Sequence, residues 1–305
     1  MMTRRGVLKA GLALGASVVA PQRPVFAQPQ ALVQKKIPSS GESLPVIGIG
    51  TARRYSAGPG TPERAELKDV LHQFSEAGGK VIDTAPSYGA AETVVGDLVS
   101  SLGIRPSLFI ATKVRAEDRE SAMMEIDESF RRLQTQRIDC IQVHNLVNTT
   151  ATLAILREIK QAGRIRYVGI TTSFEGQHAE LADTMLREQL DFIQVNYAID
   201  DRGAADRILP LAAERGVAVL VNLPLGRGRL FHEVQNHPLP AWASEFDCRS
   251  WAQFFLKYIV SHPAVTCAIP GTARTKYVVD NLGAARGRLP DAAMRKRMEA
   301  FIDKI

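Results

Sequence analysis

From residue 45 onward the chain repeats one unit eight times: a short run of apolar, β-favouring residues, then an amphipathic segment of helical length. The strand runs are 45–51, 80–85, 108–114, 138–145, 166–172, 192–197, 218–224 and 265–272. The helical segments are 65–77, 92–101, 122–133, 152–162, 178–188, 206–215, 251–261 and 275–285. Strands that are apolar almost throughout are covered on both faces, as in a parallel sheet under helices. Parallel pairing with right-handed crossovers over eight units predicts a closed (β/α)8 TIM barrel, one α/β domain over residues 44–305. The competing architecture is an open doubly wound sheet, whose first strand turns into a Gly-rich phosphate loop. Gly48-Ile49-Gly50 is followed by Arg53 where the third glycine belongs, so that fingerprint is absent. The stretch 225–250, before the helix of the seventh unit, is long and rich in Gly, Pro and Arg, and loops of that length are usually functional.

With 45% apolar residues the chain can fill such a core. Its formal charge of +6 invites a nucleic-acid or membrane partner, but four of the 38 basic residues lie in the first 27, which hold no acid. The remainder carries 34 basic and 32 acidic side chains, a net charge of +2, and the electrostatic case for nucleic acid disappears. Within residues 1–27, Thr3-Arg4-Arg5-Gly6-Val7-Leu8-Lys9 precedes a modest apolar run and Val25-Phe26-Ala27. The run is about half of the roughly 20 residues that a membrane span needs. The pattern resembles a twin-arginine export signal, with Val7 in the place of the usual Phe, and implies export of the folded protein through that machinery to the periplasm. Residues 28–43 read as a linker. Cys140, Cys248 and Cys267 are an odd number without metal-like spacing, and the two in strand runs read as buried thiols.

In a parallel barrel the chemistry gathers at the carboxyl ends of the strands. Asp83, Tyr88, Lys113 and His144 lie at or just beyond the ends of strands two, three and four, and should meet at one mouth. A Tyr hydroxyl, with a reference pKa of about 10, is a weak acid at neutral pH. An ammonium beside it stabilises the phenolate, so Lys113 would make Tyr88 a better proton donor. Asp83 would keep Lys113 charged, and His144 would orient a carbonyl oxygen. Taken singly, each has a structural explanation: a turn cap, a packing ring, a solvated strand-end charge, a buried imidazole. Together they form an acid, its activator, an anchor and an orienter without a nucleophile, which suits hydride addition to C=O. No metal is expected, because none of the six histidines shows paired ligand spacing at strand ends.

At these residues the chain resembles the aldo-keto reductase family. Asp83-Thr84-Ala85-Pro86-Ser87-Tyr88-Gly89, Thr112-Lys113 and Val143-His144-Asn145 match its catalytic motifs. Gly48-Ile49-Gly50-Thr51, Gln194-Val195-Asn196-Tyr197 and Ile269-Pro270-Gly271-Thr272 extend the likeness over nearly the whole chain after the first segment. The resemblance implies catalytic roles for Asp83, Tyr88, Lys113 and His144. It implies contacts of Thr171, Thr172 and Gln194 with the nicotinamide carboxamide, and of Leu225, Arg227 and Gly228 with the pyrophosphate. Thr272, Arg274, Asp280 and Asn281 would hold the adenosine end. Positive charge from Arg274 and Lys276 at a helix start suits a 2′-phosphate, which favours NADPH over NADH.

Two departures stand out. The family often stacks an aromatic ring on the nicotinamide from strand seven, where this chain has Asn222-Leu223-Pro224-Leu225. Lys113 is followed by Val114-Arg115 rather than the Trp of many relatives, and Arg53, Arg54 and Tyr55 suggest a polar mouth suited to anionic or sugar-like carbonyl compounds. The second reading is a cofactor-loaded regulatory or sensor module with little turnover. It draws on the missing ring and on a compartment without a pool of NADPH.

Overall fold

The computed structural model describes residues 30–305. The segment expected to direct export lies outside the described residues. The described chain opens on a hairpin of β1 (Gln34–Lys36) and β2 (Ser43–Pro45), paired antiparallel with Gln34 opposite Pro45. The stretch expected as a linker therefore contains a strand.

Eight parallel strands follow: β3 (Ile49–Gly50), β4 (Val81–Asp83), β5 (Phe109–Val114), β6 (Ile138–His144), β7 (Ile165–Thr171), β8 (Phe192–Asn196), β9 (Ala218–Asn222) and β10 (Cys267–Ala268). Each pairs with its neighbours in chain order, from β3 through to β10. Parallel bridges from Ile47 to Ala268 and from Gly50 to Gly271 join the last strand to the first, so the (β/α)8 barrel closes as expected. Closure explains the opening glycines. A Cβ on Gly48 would lie 2.8 Å from the Val81 carbonyl oxygen, and one on Gly50 would lie 2.7 Å from that of Ile269. They serve close backbone approach within the barrel, not a phosphate turn.

The crossover helices are α1 (Pro62–Glu76), α2 (Ala91–Leu102), α3 (Arg119–Arg132), α4 (Thr149–Gln161), α5 (His178–Arg187) and α6 (Ile208–Arg215). The long loop after β9 contains α7 (Arg229–Glu233) and a 3-10 segment, Ala241–Phe246, before α8 (Trp251–Val260); α9 (Thr275–Gly283) and α10 (Ala292–Ile302) complete the chain. Helix α1 begins earlier than its apolar pattern suggested, because Thr61 accepts from the Arg64 amide as N-cap and Pro62 occupies the first turn. On α10, Met298 and Ile302 are buried, and Phe301 meets Trp242 and Trp251 outside the barrel. No helix among the described residues is long and apolar enough to cross a membrane.

Strand alternation divides the apolar side chains between two cores. Outward-facing residues such as Ile110, Ile141, Ile170 and Val219 pack under the helices. Inward-facing Val81, Phe109, Ala111, Cys140, Tyr167, Phe192, Ala218, Leu220 and Cys267 fill the barrel interior. Phe109, Tyr167 and Phe192 lie with ring centroids 5.4–5.8 Å apart. Ile37 and Leu44 of the hairpin join this inner core, so the hairpin plugs the floor. Glu42, at the hairpin's turn, accepts from the Tyr167 hydroxyl at 2.6 Å and from Arg166, which fastens the plug to β7.

Candidate active site

The inward alternation that is apolar near the floor becomes polar towards the carboxyl ends of the strands. Two residues beyond Val81 stands Asp83; beyond Ala111, Lys113; beyond Cys140, Gln142 and then His144. Gln194 and Asn196 follow Phe192 on the same face, and Asn222 follows Leu220. Pleat parity thus brings these side chains to one mouth. Tyr88 reaches it from a 3-10 turn, Pro86–Tyr88, just after β4.

At the centre is a buried ion pair. Lys113 Nζ lies 2.8 Å from both carboxylate oxygens of Asp83 and 2.8 Å from the Thr84 carbonyl. The two side chains are 1% and 3% exposed, so the charges have little access to water and depend on each other. Burial works against the Lys113 charge, but the Asp83 carboxylate and the Tyr88 phenol outweigh it and hold the ammonium above its ordinary value. Burial pushes the Asp83 carboxyl up, and Lys113 and Gln194 oppose that push. The same ammonium sits 5.0 Å from the Tyr88 ring centroid. The Tyr88 and His144 rings meet edge to face, with centroids 6.2 Å apart. Burial first, then the charges of Lys113 and Arg115, press the His144 pKa down to about 4, so its imidazole is neutral at pH 7.

Sequence reasoning missed the residue that links this group to the next strands. Gln142 Nε2 donates to Gln194 Oε1 at 2.9 Å, and Gln194 Nε2 reaches Asp83 Oδ2 at 3.4 Å. A chain of amides therefore runs from β6 through β8 to the ion pair. The signal was available, since Gln142 lies two residues before His144 and shares its face.

The remaining expected residues are placed as follows. Thr171 ends β7, buried, in register with Gln194. Thr172 donates its hydroxyl to Gln177 at 2.6 Å, and its carbonyl accepts from Asn222 Nδ2 at 3.1 Å. Leu225, Arg227 and Gly228 form a tight turn in which Arg227 has φ +56° and Gly228 φ +99°. The next residue, Arg229, pairs with Asp200 at 2.6 Å. Asn281 donates to the Thr272 hydroxyl at 3.0 Å, and both are buried. Asp280 accepts from Ser250 at 2.7 Å and from Gln253 at 2.9 Å, bracing α9 against the start of α8. Arg274, just ahead of α9, pairs with Glu66 of α1 at 3.0 Å and is largely exposed. Tyr55 does not contribute to a polar mouth: it is 1% exposed and belongs to the outer core. Among the described residues no group of His, Cys, Asp and Glu could hold a metal.

Residues with φ in the left-handed region gather in the loops on this side: Arg53, Asn145, Leu146, Asn148, Leu223 and Arg227. Such backbone is costly outside glycine and concentrates where a structure must aim functional groups.

The model of the aldo/keto reductase family matches residues 46–302, and the chain belongs to that family. It is 29% identical to the methylglyoxal reductase YeaE of Escherichia coli (strain K12), covering 89% of this chain and 94% of that protein. It is 28% identical to an NADH-specific methylglyoxal reductase of the same organism, covering 68% of this chain and 73% of that protein. The crystal structure of an aldo/keto reductase from Klebsiella pneumoniae, in complex with NADP and acetate, superposes with a TM-score of 0.76. That protein is 24% identical, and the match covers 90% of this chain and 95% of the other, a likeness of fold.

Proposed function

We propose that the protein reduces a small, polar carbonyl compound with NADPH, Tyr88 delivering the proton. The observation that carries this reading is Lys113, a buried ammonium held by Asp83 and lying against the Tyr88 ring. Two findings speak for a nicotinamide in this mouth. The ends of β7, β8 and β9 offer hydroxyl and amide groups, and the buried oxygens Gln142 Oε1 and Asn222 Oδ1 have no donor. When bound, NADPH would supply a hydride to the carbonyl carbon. The neutral His144 ring would donate an N–H to the carbonyl oxygen and set its direction. As negative charge builds there, the Tyr88 hydroxyl would pass its proton across, and Lys113 would stabilise the phenolate left behind. Asp83 would keep Lys113 charged and in place.

For the cofactor, Thr171, Thr172 and Gln194 would face the nicotinamide, and Leu225, Arg227 and Gly228 the pyrophosphate. Thr272, Asp280 and Asn281 would meet the adenosine. Arg274 would exchange Glu66 for the 2′-phosphate, a competition that leaves NADH as a weaker alternative. The names of two relatives point to methylglyoxal-like dicarbonyls as a substrate class. Single-turnover mixing of the NADPH-loaded protein with methylglyoxal tests the reading. Rapid loss of the reduced nicotinamide absorbance is expected. Tight binding without transfer would favour the sensor module instead.

The proposed place of action is the periplasm, on the strength of residues 1–27 alone. Replacing Arg4 and Arg5 by Lys should retain the protein in the cytoplasm, and an unchanged distribution would contradict export by that route.

A further inference from the structure

The Asp83 carboxylate is buried with few donors around it. Its side chain is held by Lys113 Nζ, 2.8 Å from each oxygen, and by Gln194 Nε2 at 3.4 Å. An ionised carboxylate only accepts, so Gln194 must turn its amide nitrogen towards Asp83 and its Oε1 away. That oxygen then accepts from Gln142 Nε2 at 2.9 Å. Gln142 is left with its own Oε1, buried without a donor. The charge on Asp83 thus sets the direction of both amides, and the unsatisfied oxygen stands at the far end of the chain, where it costs stability.

The strands make room for this reach. Gln142 is fully buried on β6, in register with Lys113 of β5 on one side and with Gly169 of β7 on the other. β7 lies between β6 and β8, and at Gly169 it presents no side chain, so the Gln142 amide can cross to Gln194. A methionine at this place would be buried without leaving an oxygen unsatisfied. It could not hold Gln194 by its oxygen. Released, the Gln194 amide could turn about its last torsion, and Asp83 would keep the lysine alone. Lys113 and Gln194 are the two groups that oppose the upward push of burial on the Asp83 carboxyl.

We propose that Gln142 is a positioning residue for proton transfer: by fixing the Gln194 amide it holds Asp83, and through Asp83 the Lys113 ammonium, in place beside Tyr88. It touches neither substrate nor cofactor, and the inference rests on the reductase reading above. Three substitutions test it. Gln142→Met removes the donor at similar length, and Gln194→Met removes the link. Gln142→Glu keeps the shape but donates only while its carboxyl is protonated. The charged groups facing that carboxyl are Asp83 and Lys113, with the Cys140 thiol one alternation below. Single-turnover transfer from NADPH to methylglyoxal should fall about tenfold in Gln142→Met. Adding Gln142→Met to Gln194→Met should lower the rate no further. Between about pH 5 and pH 9, Gln142→Glu should pass from near the wild-type rate to that of Gln142→Met as its carboxyl ionises. A wild-type rate in Gln142→Met, a further fall in the double variant, or a Gln142→Glu rate in constant ratio to the wild type overturns the role of Gln142 alone. A wild type that transfers no hydride overturns the reductase reading itself, and this role with it.

Discussion

The floor and the mouth of the barrel are made by the same strands under the same alternation, and they are chemically opposite. At the floor the inward positions are Val81, Phe109, Tyr167, Phe192 and Ala218, with the hairpin residues Ile37 and Leu44 packed beneath them. Nearer the carboxyl ends, one alternation beyond Val81 stands Asp83 and two beyond Phe109 stands Lys113. The floor buries apolar surface, which stabilises the fold. The mouth buries an ion pair, orphan amide oxygens and left-handed backbone, each of which costs stability. A barrel can support a destabilised mouth because strand pairing and the two cores are set below it.

The comparison breaks most clearly at Lys113. Lys113→Met should abolish transfer and lower stability by about 3–5 kcal/mol, because Asp83 is left buried without its partner. Adding Asp83→Asn should restore much of the stability and none of the activity, which chemical denaturation and single-turnover assays would read separately. A double variant no more stable than Lys113→Met would show that the mouth carries no electrostatic liability. At the other end, Phe192→Ala should cost about 3–5 kcal/mol through lost burial and an internal cavity. The folded fraction should keep its transfer rate, and a matching fall in rate would mean that floor and mouth are not separable.

Arg274→Ala should weaken NADPH about tenfold more than NADH, since one charge-assisted contact to the 2′-phosphate is lost. Equal losses for the two cofactors would remove Arg274 from the phosphate site. A smaller effect comes from two histidines, one at each end. Burial, with nearby cations, lowers the pKa of His144 at the mouth and of His262 near the floor from 6.5 to about 4. Each is neutral when folded and takes up a proton more readily when unfolded. The stability they support is therefore complete above about pH 6.5 and lost as pH falls towards 4. His262→Gln should flatten part of that slope without altering transfer, as urea titrations across this range would show. An unchanged slope would remove His262 from the acid response.

Most of the mouth was legible because strand ends and pleat parity turn sequence position into spatial position. Asp83, Lys113 and His144 each end, or nearly end, an apolar run, and their convergence follows from barrel geometry. What escaped had weaker signals. The strands of the hairpin are three residues each, too short for a periodic pattern, so their stretch read as linker. Tyr55 was read by its neighbours Arg53 and Arg54, which are exposed, while its own ring turns into the outer core. Gln142 was legible by parity but carries no charge to draw attention.

The most direct test of the central claim, that Tyr88 is the proton donor beside a lysine held by Asp83, is the single-turnover rate of Tyr88→Phe loaded with NADPH. The variant should bind the cofactor and melt like the wild type, while transfer falls by about 10²–10⁴-fold. Transfer at the wild-type rate in that variant would contradict the assignment, whatever else the mouth binds.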